Sequence, residues 1–449
     1  MAKVGSSGVM ATRSADTIVA LASGGLPAAI AVVRVSGPAA ADLVAAIAGS
    51  LPTPRRASLR RLTDPGSGRP IDRALVLWLP GPGSPTGEDC AEFHVHGGRA
   101  VVAGLIEALT AWPGVRLAGP GEFARRAFHA GRMDLAALEG LADLMAAETE
   151  AQRVQAFAQA EGALGREVDG WRAAIVSARA LVEAGLDFSD EDDVPAETLA
   201  AARLEAATLR DRLATALADA GRGERLREGF RVALLGPPNA GKSSLLNALA
   251  RRDVAIVAAE PGTTRDVVEA HLDLAGLPVI VADTAGLRAA AGAVEAEGIR
   301  RARARAASAD LTLWLSPADD PAPPPAGLAA TVWVVETKAD LAASSSGAAR
   351  HRLSVLTGEG MDGLLAALAD AAAASLRVDE PALMVRARHR EAVIEARVAL
   401  DRALAEPGLP GELFAEELRL AGDALGRVTG AIGVEDVLDR LFGTFCIGK

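Results

Sequence analysis

The segment Gly236-Pro-Pro-Asn-Ala-Gly-Lys-Ser243 constrains this chain more than any other feature. It follows the apolar run Val232–Leu235 and opens into the helix-forming Ser244-Leu-Leu-Asn247. A G-x-x-x-x-G-K-[ST] pattern between a strand and a helix lets glycine backbones turn successive N–H groups onto phosphate oxygens, while the helix supplies its positive end. Asn239, Ala240, Gly241, Lys242, Ser243 and Ser244 are therefore expected around a nucleotide's phosphates. Lys242 would reach the β- and γ-phosphates and Ser243 would ligate Mg²⁺. Such a loop belongs at the carboxyl edge of a mostly parallel sheet. From about 229 to 378 the sequence has the required texture: the apolar runs Pro278–Ala282, Leu311–Leu315 and Thr331–Val335 alternate with helical stretches.

Four companion motifs follow in order. Gly262-Thr263-Thr264-Arg265-Asp266 lies where a switch loop supplies a threonine to Mg²⁺. Asp283-Thr284-Ala285-Gly286 gives a metal-side aspartate and a glycine N–H that can sense the γ-phosphate. Thr337-Lys338-Ala339-Asp340 ends a strand, where Asp340 can accept the N1 and N2 protons of guanine. Ser354-Val355 is a final base-contacting loop. Together they specify a GTPase, with ATP as the alternative nucleotide. Two positions depart from the common pattern. Leu287 stands where many GTPases carry a water-orienting glutamine, so another group must hold the water. Thr337 replaces the usual asparagine, which is expected to weaken support of the base and of the phosphate loop.

The rest of the 449 residues frames this block. Residues 17–117 mix short apolar runs (Thr17–Ala20, Ala29–Val35, Ala74–Leu79) with Gly/Pro turns and a helix near 100–111, an α+β texture. No proline occurs from Gly121 to Val194, and Leu135, Leu138, Leu141 and Met145 recur at helical spacing. Helix returns over Ala382–Ala405 and Gly411–Phe442, and Pro317–Pro325 reads as a loop. The α/β block is thus expected as an insertion into a helical domain built from both sides. The formal net charge of −11 excludes a generally basic nucleic-acid coat but not a local patch. Two cysteines, Cys90 and Cys446, cannot form a disulfide framework or a cysteine-rich zinc site, which fits a reducing cytosol. No run of 18 apolar residues and no secretory leader is present, so a cytoplasmic, non-membrane protein is expected. Cys90 reads as a buried small apolar residue. His94 and His96 would share a strand face, with His96 placed in a turn before Gly97-Gly98.

Several motifs outside the nucleotide block carry a resemblance to a known family. Asp16-Thr-Ile-Val-Ala20, Arg34-Val-Ser-Gly37, Pro80-Gly-Pro-Gly-Ser-Pro-Thr-Gly-Glu-Asp89, His96-Gly-Gly98, Pro120-Gly-Glu-Phe123 and the terminal Phe445-Cys-Ile-Gly-Lys449 span the whole chain. With the five nucleotide motifs, they make the chain resemble the MnmE (TrmE) family of tRNA-modifying GTPases. The resemblance implies a multidomain α+β and α/β protein. It has an N-terminal folate-binding and dimerisation domain (1–130), a helical domain in two parts (131–228 and 381–449), and an inserted Ras-like P-loop GTPase domain (229–380).

The same resemblance implies K⁺-driven pairing of GTPase domains, with K⁺ held by Asn239, Thr263 and the carbonyls of Ala258 and Glu260, and Mg²⁺ held by Ser243 and Thr264. Glu295 would orient the attacking water in place of Leu287; without the family it reads more readily as a solvated helical glutamate. Arg34, Glu92, Arg132 and Lys449 would hold 5-formyl- or 5,10-methylene-tetrahydrofolate, although Arg132 replaces a lysine seen in some members. Cys446 is either a nucleophile in the modification chemistry or part of a structural tail. The implied partners are an MnmG-like FAD protein, a second copy of the chain and tRNA. The implied product is a carboxymethylaminomethyl or aminomethyl group on C5 of a wobble uridine. The competing readings are a regulatory switch GTPase in ribosome or RNA assembly, and a folate enzyme with a passenger GTPase.

Overall fold

A computed structural model describes residues 16–187, 194–256, 269–283, 306–328, 331–341, 349–376, 381–432, 435–445 and 448. The chain divides into two compact units: Met1–Ala142 with Ala160–Ala173 and Gly422–Lys449, and Asp143–Gln159 with Ala174–Ala421.

The first unit is built on a six-stranded sheet. Its strands are β1 (Thr17–Leu21), β2 (Ala28–Ser36), β3 (Ser58–Thr63), β4 (Pro70–Leu79), β5 (Cys90–Gly97) and β6 (Val115–Leu117), in the spatial order β3-β4-β5-β2-β1-β6. All neighbours are antiparallel except β1 and β6. Alternation along the strands sends Val33, Val35, Val76, Trp78, Phe93 and Val95 to one face. There they pack against α1 (Ala40–Ala48) and α2 (Arg99–Thr110) through Leu43, Ile47, Leu105 and Leu109. On the other face α3 (Glu122–His129) covers the β1 end through Phe123, Ile18 and Ala20. Toward β3 that face stays open, and Ile30, Leu59 and Leu75 are exposed on it. α4 (Leu135–Ala146) packs with the last described helix, Glu435–Thr444, through Leu135, Leu138, Leu438 and Phe442.

In the second unit α5 (Glu150–Ala160), the later part of α6 (Ala163–Asp187), α7 (Val194–Glu228), α10 (Ala387–Ala405) and α11 (Gly411–Thr429) form the helical part. The α/β block carries β7 (Phe230–Leu235), α8 (Lys242–Ala250), β8 (Glu269–Leu274), β9 (Leu277–Asp283), β10 (Leu311–Pro317), β11 (Thr331–Thr337), β12 (His351–Arg352) and α9 (Met361–Leu376). Its strand order is β12-β11-β10-β7-β9-β8, parallel except for β8 on β9. Both connections to the block are pinned at one place. Asp143 accepts from Arg227 at the end of α7 (3.1 Å) and from Arg386 just before α10 (2.7 Å). The Gln155 and Gln159 amides donate to the carbonyls of Ala382 and Leu383, closing the returning chain onto α5.

Several expectations change. Ala382–Arg386 is not helical; those two glutamines take up the backbone groups of Ala382 and Leu383, and α10 starts at Ala387. Gly411–Phe442 is not one helix. α11 stops at Thr429, Gly430 takes φ +87° against Leu135 and Phe128, and a new helix (α12) begins at Glu435. His96 is not a turn residue: it lies within β5 opposite Ile30, with its ring and backbone N–H both on the Asp72 carboxylate.

Candidate functional site

The phosphate loop grows directly out of β7. Gly236 takes φ +153° where a Cβ would sit 2.5 Å from the Leu315 carbonyl of β10, so only glycine lets the chain leave the sheet here. Asn239 (φ +62°) and Gly241 (φ +89°) add left-handed turns, and Gly241 caps α8. The Lys242 ammonium donates to the carbonyls of Gly236 (2.9 Å) and Pro237 (2.8 Å), arching over the loop it belongs to. Burial lowers the Lys242 pKa from its ordinary value, while the Asp283 carboxylate opposes that shift. Ser243 donates its hydroxyl to Asp283 at the end of β9, at 2.8 Å. A hydroxyl and a carboxylate so placed form the hard-oxygen pair that suits Mg²⁺. Ser244 follows in the first turn of α8.

The base-recognition segments converge on the same loop from the neighbouring strand ends. Thr337 closes β11 and donates its buried hydroxyl to the Ala240 carbonyl at 2.8 Å. Threonine at this position thus reaches the phosphate loop directly through its hydroxyl. Lys338 sits at φ +56° and binds both carboxylate oxygens of Asp319 at 3.1 Å. Asp340, in the short 3₁₀ turn Ala339–Leu341, accepts from the buried Ser354 hydroxyl at 2.5 Å. Ala339 N–H donates to Leu353 O, and Leu353 N–H donates to Glu336 O, stitching the two base loops together with Val355 immediately beyond. Asp319 was not apparent in the sequence; its only signal was a position at the carboxyl end of a core strand.

The positions Ala258, Glu260, Thr263, Thr264, Thr284, Ala285, Gly286 and Glu295 lie outside the described residues, as do Cys446 and Lys449.

In the first unit Arg34 of β2 and Glu92 of β5 are direct cross-strand partners. The Arg34 Nε and Nη2 groups both donate to Glu92 Oε1, at 3.0 and 2.9 Å, and the guanidinium lies 5.7 Å over the Phe123 ring. Burial pushes the Glu92 carboxyl up, but Arg34 and a hydrogen bond with His94 outweigh it and hold the pKa below the usual carboxylate range. Arg132 is exposed on the loop after α3, its stem beside Gly87, and among the described residues it makes no ion pair with Glu92. Gly448 is close by along the chain path: with φ +105°, a Cβ on it would fall 2.1 Å from the Leu21 carbonyl. Leu21 is one residue from Ala20, which pairs with Arg34. Cys90 is fully buried beside the Thr86 hydroxyl, as expected.

Comparison with known proteins fits this geometry. The model of the GTP-binding protein TrmE N-terminus matches residues 17–132, and that of the MnmE helical domain matches residues 135–446. A tRNA modification GTPase MnmE from Methylorubrum populi is 56% identical over 436 residues, covering 97% of this chain and 98% of the relative. Those of Azorhizobium caulinodans and Methylobacterium sp. (strain 4-46) are 53% and 54% identical, covering 98% and 97% of this chain and all of each relative. Similarity of that extent, over a phosphate loop and base loops already joined through Thr337 and Ala240, places the chain in the MnmE (TrmE) family.

Proposed function

We propose that this chain hydrolyses GTP to drive modification of the wobble uridine of certain tRNAs. The observation that carries the hydrolytic part is the joining of Lys242, the Ser243–Asp283 pair and the Thr337–Ala240 bond at one sheet edge. GTP hydrolysis there supplies a conformational step rather than carbon chemistry. Mg²⁺ held by Ser243 and Thr264 would neutralise the phosphates. K⁺ at Asn239, Ala258, Glu260 and Thr263 would add positive charge beside the β–γ bridge as two GTPase domains pair, a form of electrostatic transition-state stabilisation. Glu295 is assigned to hold the attacking water, since Leu287 has no polar atom to do so.

A tetrahydrofolate (5-formyl or 5,10-methylene) fits the first unit. Arg34 and Glu92 offer donors and an acceptor to a polar heterocycle edge beside the Phe123 ring, and the Gly448 backbone closes against β1. Lys449 and Arg132 would add positive charge for the folate carboxylates. Bound folate would supply a one-carbon unit, with Cys446 as nucleophile or tail anchor. An MnmG-like FAD protein would complete the reaction, giving a carboxymethylaminomethyl or aminomethyl group on C5. The working unit in this reading is a homodimer in the cytoplasm, divided into parts at about 1–130, 131–228, 229–380 and 381–449. The exposed Ile30, Leu59 and Leu75 on the open sheet face support association through the first unit. No described helix is long and apolar enough to cross a membrane.

The test is mass spectrometry of wobble uridines from cells lacking this protein, with and without complementation. Loss of the hypermodified base that returns on complementation supports the reading. An unchanged base composition refutes it and favours a switch GTPase in RNA assembly.

A further inference from the structure

Thr337 sits between the phosphate loop and the base loops, and its proton count limits what it can read. It is buried at the end of β11, and its hydroxyl donates to the Ala240 carbonyl at 2.8 Å. A hydroxyl has one proton, so this bond commits the only donor of the side chain. Its oxygen can still accept, but N7 and O6 of guanine are themselves acceptors and have no proton to give. The asparagine usual at this position differs in that respect. Its carboxamide carries two N–H protons and could serve the phosphate loop and the base together.

The neighbouring donors are spent within the protein. The Lys338 ammonium binds both carboxylate oxygens of Asp319 at 3.1 Å. The N–H groups of Ala339, Leu341, Leu353 and Ser354 go to Leu353 O, Lys338 O, Glu336 O and Glu359 O. The loops are also held against rearrangement: Arg352 donates to Ala339 O at 2.8 Å and lies 3.2 Å from the buried Glu336 carboxylate. What the loops present is an acceptor. Asp340 takes the Ser354 hydroxyl on Oδ1 at 2.5 Å. A carboxylate has about four acceptor positions, so this bond leaves room for the N1–H and 2-amino donors of guanine.

We infer that Thr337 makes guanine recognition in this chain one-edged: the base is selected through its N1–H and 2-amino donors at Asp340, and N7 goes unread. Thr337 determines specificity by the donor it withholds. The inference rests on the reading above in which Asp340 holds the guanine of GTP. A nucleotide altered at N7 is then as good a ligand as GTP, whereas one lacking the 2-amino group is a poor one. Adenine stays excluded, because it presents an acceptor at N1 where Asp340 requires a donor.

The test is competition binding and steady-state hydrolysis with the full-length protein. The nucleotides are GTP, 7-deaza-GTP (carbon in place of N7) and inosine triphosphate (no 2-amino group), and the proteins are wild type, Thr337→Asn and Thr337→Ser. On the wild type, 7-deaza-GTP should match GTP within about twofold, less than the loss of a hydrogen bond would cost. Inosine triphosphate should bind about 10- to 150-fold more weakly, the loss of one bond to a charged group. Thr337→Ser keeps the single proton and should rank the three nucleotides as the wild type does. Thr337→Asn adds a donor, so GTP should gain about fivefold in affinity and 7-deaza-GTP should not. A wild type that binds 7-deaza-GTP about tenfold more weakly than GTP overturns the inference, since another donor then reads N7. A Thr337→Asn protein that binds nucleotide but treats GTP and 7-deaza-GTP alike overturns the assignment to Thr337. Equal binding of GTP and inosine triphosphate to the wild type refutes the Asp340 reading itself, and the inference with it. The wild-type comparison decides even if Thr337→Asn does not fold.

Discussion

Thr337 in the guanine loop donates its hydroxyl to the carbonyl of Ala240 in the phosphate loop across 2.8 Å, and both residues are buried. One hydrogen bond thus ties the segment proposed to read the base to the segment proposed to grip the phosphates. Thr337→Val keeps the shape and leaves the Ala240 carbonyl without its partner, at a cost of about 1–3 kcal/mol. The loop would relax equally for di- and triphosphate, so GTP and GDP affinity should fall together by roughly 5- to 150-fold. Titration with fluorescent nucleotides checks this; unchanged affinity for both would show that the bond supports neither loop.

Asp319 acts one step further out. Lys338 is half-exposed and held by both Asp319 oxygens, which fixes its left-handed backbone and the line of its side chain. An ion pair this exposed contributes about 0.2–1 kcal/mol. Asp319→Asn should therefore raise KM for GTP by no more than about fivefold with kcat unchanged. A fall in kcat at constant KM would contradict a positioning role.

These two contacts mark where the sequence was readable and where it was not. β1, β2, β4, β7, β9, β10 and β11 coincide with apolar runs, and β2, β4, β7 and β10 stop at or against Gly or Pro. β3 (Ser-Leu-Arg-Arg-Leu-Thr) and β8 (Glu-Ala-His-Leu-Asp-Leu) escaped notice because each buries only one face and mixes its apolar residues with charged ones. The nucleotide motifs were legible because phosphate binding demands glycine and lysine at fixed local spacing. The Lys338–Asp319 pair was not, since it spans 19 residues and exists only once β10 and β11 lie side by side. Thr337 was seen but its bond to Ala240 was not, because that reach depends on how β11 ends beneath the loop.

Glu295 carries the proposed water-holding role, and K⁺ the proposed charge neutralisation. Glu295→Ala should bind GTP normally and hydrolyse it about 10²–10³-fold more slowly, the usual cost of removing a group that acts in the transition state. Replacing K⁺ by Na⁺ should likewise collapse wild-type turnover without changing GTP affinity. Single-turnover hydrolysis with parallel binding titrations checks both. Near-normal turnover of the variant would remove Glu295 from the chemistry, and equal rates in the two salts would remove the K⁺ site.

Gly448 can approach β1 only without a side chain. At φ +105° a Cβ would lie 2.1 Å from Leu21 O and 2.8 Å from Ala22 Cα. Gly448→Ala must therefore lift the tail from the sheet end beside Arg34. Folate affinity should fall by about tenfold or more while GTP hydrolysis is retained. Calorimetric titration with 5-formyltetrahydrofolate is the measurement, and an unaltered dissociation constant would separate the tail from that pocket.

The Arg34–Glu92 pair makes a pH-dependent contribution whose sign follows from the depressed Glu92 pKa. A carboxylate with a lower pKa folded than unfolded stabilises the fold above its unfolded value, near 4.5, and loses that contribution as pH falls through the folded pKa. At pH 7 the contribution is fully present. Glu92→Gln then strands a half-buried guanidinium and should cost about 1–2 kcal/mol, discounted from a fully buried pair because Arg34 keeps some contact with water. Urea unfolding of the two proteins should show that gap at pH 7 and a narrowing of it once the pH drops below about 4.5, as Glu92 protonates in the wild type. A gap that stays constant across this range would mean that the Glu92 charge does not stabilise the sheet and that the variant acts through shape alone.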